Sequence, residues 1–269
     1  MAKLVRDLMH PTVLTCPPET TLGKVAVILN KNHIHALFVT GPSGAIVGVI
    51  TDYDLLAGEW LSADPESLEA LRAMTAGELM TTPVGTIEAS EPISAASQRM
   101  KAEVIRRLLV TEAGKPVGVI SVSDFISHLA EQAITGRDTV ADVMSDVYLT
   151  CRKKTPIASA ARAMADTGWR SVLVVDAAGQ PLGLFSGLDL LARCEEEDCA
   201  SITVAEVMHP LLRIHMDASL RQAADMMIQN HHHRLVVVDP DQPDSMPLGI
   251  ISSFDIVAEM ARPGSVWQE

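Results

Sequence analysis

Gly48-Val-Ile-Thr51-Asp-Tyr-Asp54 recurs three times, as Gly118-Val-Ile-Ser121-Val-Ser-Asp124, Gly183-Leu-Phe-Ser186-Gly-Leu-Asp189 and Gly249-Ile-Ile-Ser252-Ser-Phe-Asp255. The copies share the form G-h-h-[ST]-x-x-D, with h apolar, and divide the chain into four similar units. A second phrase keeps step with the first. Asp7-Leu8-Met9, Glu78-Leu79-Met80, Asp142-Val143-Met144 and Glu206-Val207-Met208 each stand about forty residues ahead of a signature, as a fixed-period repeat requires.

Repeat four shows the order of elements most openly. Leu211-Leu212-Arg213-Ile214 is a strand candidate, and Asp217-Ala218-Ser219 opens a helix whose apolar face is Ala223, Ala224, Met227 and Ile228. Arg234-Leu-Val-Val-Val-Asp239 is a continuous apolar run, the form of a strand covered on both faces. After a turn-rich stretch at 240–247, Leu248 to Ile251 makes the last strand, and Ser252 begins a helix running to Met260. The unit is β-α-β-β-α. The other repeats follow it with tighter hairpin turns at 41–44, 112–115 and 176–180, where glycine supplies positive φ.

At 269 residues and 48% hydrophobic, the chain holds material for two ordinary domains, so four units must share cores. A formal charge of −13 and 3% aromatic residues argue against a nucleic-acid binder, which needs a basic face and stacking rings. The first residues lack the apolar core of a signal peptide, and no stretch reaches transmembrane length, so a cytoplasmic protein without membrane contact is expected. Cys16 and Cys151 fall seven places after the repeat Met in repeats one and three and read as buried thiols, not a disulfide. Residues 58–75 read as a turn and a short amphipathic helix, and the Cys194 to Cys199 stretch as a solvated acidic loop in preference to a zinc site.

Each signature has a structural and a functional reading. Structurally, Thr51, Ser121, Ser186 and Ser252 are helix N-caps, and Asp54, Asp124, Asp189 and Asp255 close capping boxes in the first turn. The glycine then lets the strand approach neighbouring backbone. Functionally, a strand entering a helix offers amides and a hydroxyl to a phosphate or sugar, and the carboxylate accepts from vicinal ribose hydroxyls. Cations for a phosphate are sought before the second strand of each unit, at His35, Arg106, Arg170 and Arg234, the last beside His233.

With these motifs quoted, the four units resemble cystathionine-β-synthase (CBS) domains, and adjacent pairs resemble Bateman modules. The boundaries are 1–60, 75–133, 138–196 and 202–262, with 1–133 and 134–269 as the two modules. The resemblance implies an α/β fold of four tandem β-α-β-β-α repeats whose paired clefts bind AMP, ADP or ATP, with S-adenosylmethionine or NAD as related ligands. It further implies that the signature Asp holds ribose, that Ser or Thr lies beside ribose or phosphate, and that Thr15, Thr86 and Thr150 line the adenine edge. Ile214 stands at that place in repeat four.

Nothing else in the chain assembles chemistry. Walker, HExxH and GxSxG patterns do not occur in the sequence, so neither catalytic residues nor a required cofactor are expected. His231-His232-His233 points three ways on any regular element and reads as structural or phosphate-facing, not metal-binding. His10 and His209, each between the repeat Met and a Pro, read as turn residues bordering a cleft. The function expected is a stand-alone regulator that binds adenine nucleotides and signals occupancy to a partner protein, as a monomeric disc or a homodimer. The rivals are a ligand-free scaffold and a nucleotide hydrolase.

Overall fold

A computed structural model describes residues 3–32, 34–59, 73–131, 139–187, 189, 202–242 and 245–262. Most of the 58–75 connection, the 194–199 loop and the module boundary at 133–134 lie outside this set. Each repeat forms one three-stranded sheet in strand order first-middle-last. The sheets are β1 (Thr15–Cys16), β2 (Ala36–Thr40) and β3 (Ile46–Thr51); β4 (Thr86–Glu88), β5 (Arg107–Glu112) and β6 (Lys115–Ser121); β7 (Leu149–Arg152), β8 (Ser171–Val175) and β9 (Pro181–Ser186); and β10 (Arg213–His215), β11 (Arg234–Val238) and β12 (Gly249–Ser252).

The first two strands of every sheet are parallel and the last two antiparallel. A parallel pair needs a crossover, supplied by the helices Leu22–Lys31, Ile93–Glu103, Ile157–Thr167 and Leu220–Gln229. The antiparallel pair closes through a tight turn in three repeats, where Gly44, Gly114 and Gly179 take φ of 79°, 75° and 87°. In repeat four the expected helix and last two strands match to within a residue or two. Ser219 caps the crossover helix, accepting from the Gln222 amide at 3.2 Å, and Ser252 caps the Ser253–Met260 helix.

The opening phrase of each repeat forms a four-residue helical turn and then adds to another repeat's sheet. Thr81 exchanges both backbone hydrogen bonds with Val49, His10 with Val119, Ser145 with Ile250 and His209 with Leu184, all at 2.8–3.1 Å. The contacted residue always follows the signature glycine, so the phrase covers the edge of the last strand. The glycine is required by this contact. A Cβ on Gly183 would sit 2.7 Å from Met208 Sδ and 2.9 Å from the His209 carbonyl oxygen, and one on Gly118 would sit 3.0 Å from Met9 Sδ. Each opening phrase is thus seated on the signature of a different repeat.

Two compact units result. One comprises residues 14–84 and 148–211, holding the sheets of repeats one and three with the opening phrases of repeats two and four. Its core is two clusters, one around Leu29, Leu37 and Ile50 and one around Ile157, Met164 and Phe185, and Tyr53 of repeat one packs on the second. The other unit comprises residues 1–13, 85–147 and 212–269, with repeats two and four and the opening phrases of one and three. Here one continuous cluster joins Phe125, Ile126 and Leu129 of repeat two to Ala223, Ala224, Met227, Ile256 and Val257 of repeat four. The Cys16 thiol is buried and Cys151 half-buried, and both are free, as expected; burial pushes both thiols up. Among the described residues no helix is long and apolar enough to cross a membrane.

Candidate functional site

Every signature ends its strand in a helical first turn, and the carboxylate folds back on the strand end. Thr51, Ser121, Ser186 and Ser252 each donate both the backbone amide and the hydroxyl to Oδ2 of Asp54, Asp124, Asp189 and Asp255, at 2.6–2.8 Å. Both bonds fall on one oxygen, which orients the other away from the box. Burial raises the carboxyl pKa of Asp54, Asp124 and Asp255 in spite of these bonds. The junctions of Asp54, Asp124 and Asp255 therefore carry a partly desolvated acceptor held by two hydrogen bonds.

Strand register decides which residues are equivalent, and it moves two of the expected positions by one. Thr51, Ser121, Ser186 and Ser252 pair with Ala36, Arg107, Ser171 and Arg234. His35, Arg106, Arg170 and His233 therefore share the strand-head place, and the carbonyls of His35, Arg106 and His233 accept alike from the first helical amide after the signature Ser or Thr. Arg234 is the counterpart of Arg107, one residue on, yet it still bears electrostatically on Asp255. The same register sets Thr15, Thr86 and Thr150 opposite Phe38, Leu109 and Leu173, and Arg213 opposite Val236, so Arg213 and not Ile214 holds that place in repeat four. Thr15 and Thr150 are exposed and Thr86 half-buried. The three adjacent histidines separate accordingly: His231 is a left-handed helix end at φ 55°, as are Val104 and Gly168 two residues ahead of Arg106 and Arg170.

Repeats two and three send their strand-head arginines to the other repeat of the same unit. The Arg170 guanidinium lies 4.4 Å from the Tyr53 ring centroid, with Nη1 3.9 Å from Asp52 Oδ1, and acts on Asp54. The Arg106 guanidinium lies 4.8 Å from the Phe254 centroid and acts on Asp255 together with Arg234. Such stacking holds a guanidinium without neutralising it. His35 goes instead to its own signature, with Nδ1 2.9 Å from Oδ2 of the buried Asp52. The opening-phrase histidines meet the remaining carboxylates: His209 Nε2 stands 3.7 Å from Asp189 Oδ2, and His10 acts on Asp124.

The four signature pairs and the charged residues near them thus form four junctions of two kinds. Asp54 and Asp255 have an aromatic neighbour and an arginine from the other repeat of their unit, while Asp124 and Asp189 have a histidine from an opening phrase. Tyr53, Phe254 and Asp52 were not expected as site residues. The signal for Tyr53 and Phe254 was present, because only repeats one and four place an aromatic before the signature Asp. Among the described residues no three His, Cys, Asp or Glu side chains converge as a metal would need.

Comparisons with known proteins agree with this architecture. The CBS domain model matches residues 5–59, 76–131, 140–196 and 204–262. An uncharacterised protein of Methanocaldococcus jannaschii is 27% identical over 272 residues, covering 96% of this chain, which spans only 62% of that protein's length. Hypoxic response protein 1 of Mycobacterium tuberculosis is 28% identical over 130 residues, 48% of this chain and 87% of its own. Among solved structures, a Methanocaldococcus jannaschii protein regarded as an archaeal homologue of g-AMPK superposes with a TM-score of 0.83 at 19% identity, over 95% of this chain and 99% of its own. With four matched segments, each folded as a three-stranded α/β repeat, the chain belongs to the CBS domain family.

Proposed function

We propose that this protein is a cytoplasmic regulator that binds adenine nucleotides at its signature junctions and reports occupancy to a partner protein. AMP, ADP and ATP are the ligands favoured, with S-adenosylmethionine and NAD as relatives, and residues 1–133 and 134–269 are the two modules of the chain. The observation that carries the reading is the repeated junction: a half-buried carboxylate fixed by one oxygen, at a helix mouth, with arginine or histidine close by. The outward oxygen suits the ribose diol and the cations suit phosphate. Thr15, Thr86 and Thr150 extend the reading to the adenine edge.

Regulation follows from differential binding, because a ligand that favours one arrangement of the repeats shifts the population a partner meets. No catalytic step is assigned to the junctions. The test is a thermal-shift titration of nucleotide-stripped protein with AMP, ADP, ATP, NAD and S-adenosylmethionine. A ligand at about a hundred times its dissociation constant adds roughly 2.7 kcal/mol. A selective shift is expected; no shift with any of the five favours the scaffold, in which the junctions are caps alone, and sustained phosphate release would favour a hydrolase.

A further inference from the structure

Among the described residues five polar side chains are buried: Asp52, Ser97, His128, Ser171 and Ser253. Asp52 meets His35, Ser97 donates to the Ser94 carbonyl at 2.9 Å, and His128 faces the Lys3 ammonium at 3.1 Å. The hydroxyls of Ser171 and Ser253 have no hydrogen-bond partner among the described residues. A buried hydroxyl in that state is costly to the fold and calls for an account.

Of the two, Ser171 stands directly across the sheet from a signature hydroxyl. It pairs with Ser186 on the neighbouring antiparallel strand, so the two side chains share one face. Ser186 sends its amide and its hydroxyl to Asp189 Oδ2, at 2.7 and 2.8 Å. That amide leaves the ladder, which makes Ser171 and Ser186 a non-hydrogen-bonded pair, the kind whose side chains lie closest. Ser171 is 4% exposed, and its unpartnered hydroxyl therefore borders the Asp189 junction. The same register place holds Ala36 in repeat one, Arg107 in repeat two and Arg234 in repeat four, so of the four repeats only the third sets a small neutral hydroxyl there. A hydroxyl donates and accepts, whereas an arginine donates only. Its match is another hydroxyl, and a carboxylate at the same junction suits the second member of a vicinal diol.

We infer that Ser171 is a specificity-determining residue of repeat three, hydrogen-bonding the ribose diol so that this repeat selects ribonucleotides over their deoxy forms. This rests on the nucleotide reading proposed above and deepens it at one junction. The full-length, nucleotide-stripped chain is titrated by calorimetry with AMP, 2′-deoxy-AMP and 3′-deoxy-AMP, as wild type, Ser171→Ala and Asp189→Ala. The AMP binding that Asp189→Ala removes marks repeat three. Alanine already occupies this register place in repeat one, so Ser171→Ala keeps to a side chain the repeat accepts. Ser171→Ala should weaken AMP at the marked site by about tenfold, or 1.4 kcal/mol. With one of the two deoxy forms, the one lacking the hydroxyl that Ser171 meets, Ser171→Ala and wild type should bind alike.

Equal AMP binding by wild type and Ser171→Ala, or an equal loss with AMP and with both deoxy forms, overturns the inference and leaves the nucleotide reading standing. AMP binding undiminished by Asp189→Ala puts no nucleotide in repeat three and overturns the inference as well. If wild type binds none of the three compounds, the nucleotide reading falls and the inference with it.

Discussion

Thr75 with Glu78 and Thr139 with Asp142 in the opening phrases make the same two hydrogen bonds, at 2.7–2.8 Å, as Thr51 with Asp54 and Ser252 with Asp255 in the signatures. The carboxylates respond in opposite directions. Hydrogen bonds from Thr75 and Thr139 pull Glu78 and Asp142 below their ordinary values, whereas burial pushes Asp54, Asp124 and Asp255 above theirs. One four-residue grammar therefore builds a solvated cap in one place and a desolvated acceptor in another. The difference lies in what packs on the box, since the box chemistry is the same.

The largest separation of the two is expected in ligand binding. Asp255→Ala should remove one bound nucleotide per chain and its share of the ligand-induced stabilisation, while Glu78→Ala should leave nucleotide binding at its wild-type level. Calorimetric stoichiometry reads both. Equal, intact binding in the two variants would mean that signature and opening boxes are alike only caps.

A smaller effect comes from the contact that seats the two kinds of box together. A Cβ on Gly249 would press on the Ser145 carbonyl oxygen and Met144 Sδ, whereas the atoms nearest one on Gly48 all belong to the side chain of Met80. Backbone cannot yield as a thioether chain can. Gly249→Ala should cost about 2–3 kcal/mol and Gly48→Ala about 1 kcal/mol, within the usual range for overpacking. The urea unfolding midpoints of the two variants check the order, and equal shifts would show that the opening phrases are loosely seated.

Element order and type were legible because the apolar runs, the caps and the hairpin glycines each follow from local chemistry. The four signature pairs were legible for the same reason, as a capping box is complete within four residues. Pairing across the sheet was harder to read. Aligning repeat four on the first Arg of Arg234-Leu-Val-Val-Val-Asp239 set Arg234 against Arg170; aligning on the closing Asp239 and Asp176 gives His233, the answer of the strand register. Tyr53, Asp52 and Phe254 acquired meaning only through Arg170 and Arg106, more than a hundred residues away in sequence. That contact arises from helix packing within a unit, which one repeat's pattern does not encode.

The smallest effect, and the most direct reading of the comparison, is in the pH dependence of stability. Asp124 has a raised folded-state value, from burial first and only partly offset by Ser121 and His10. Its favourable contribution is therefore complete below the unfolded-state value and is lost as pH rises through the folded one. Asp142, lowered first by its hydrogen bond from the Thr139 amide and then by that from the hydroxyl, contributes above the unfolded-state value and loses that contribution as pH falls through the folded one. Asparagine removes either titration. Relative to wild type, Asp124→Asn should therefore become less destabilising as pH rises from the acid range towards neutrality, and Asp142→Asn should become more destabilising. Chemical denaturation at a series of pH values checks the two slopes. Slopes of the same sign would show that burial does not separate the boxes, since the hydrogen bonds alone would pull both carboxylates down.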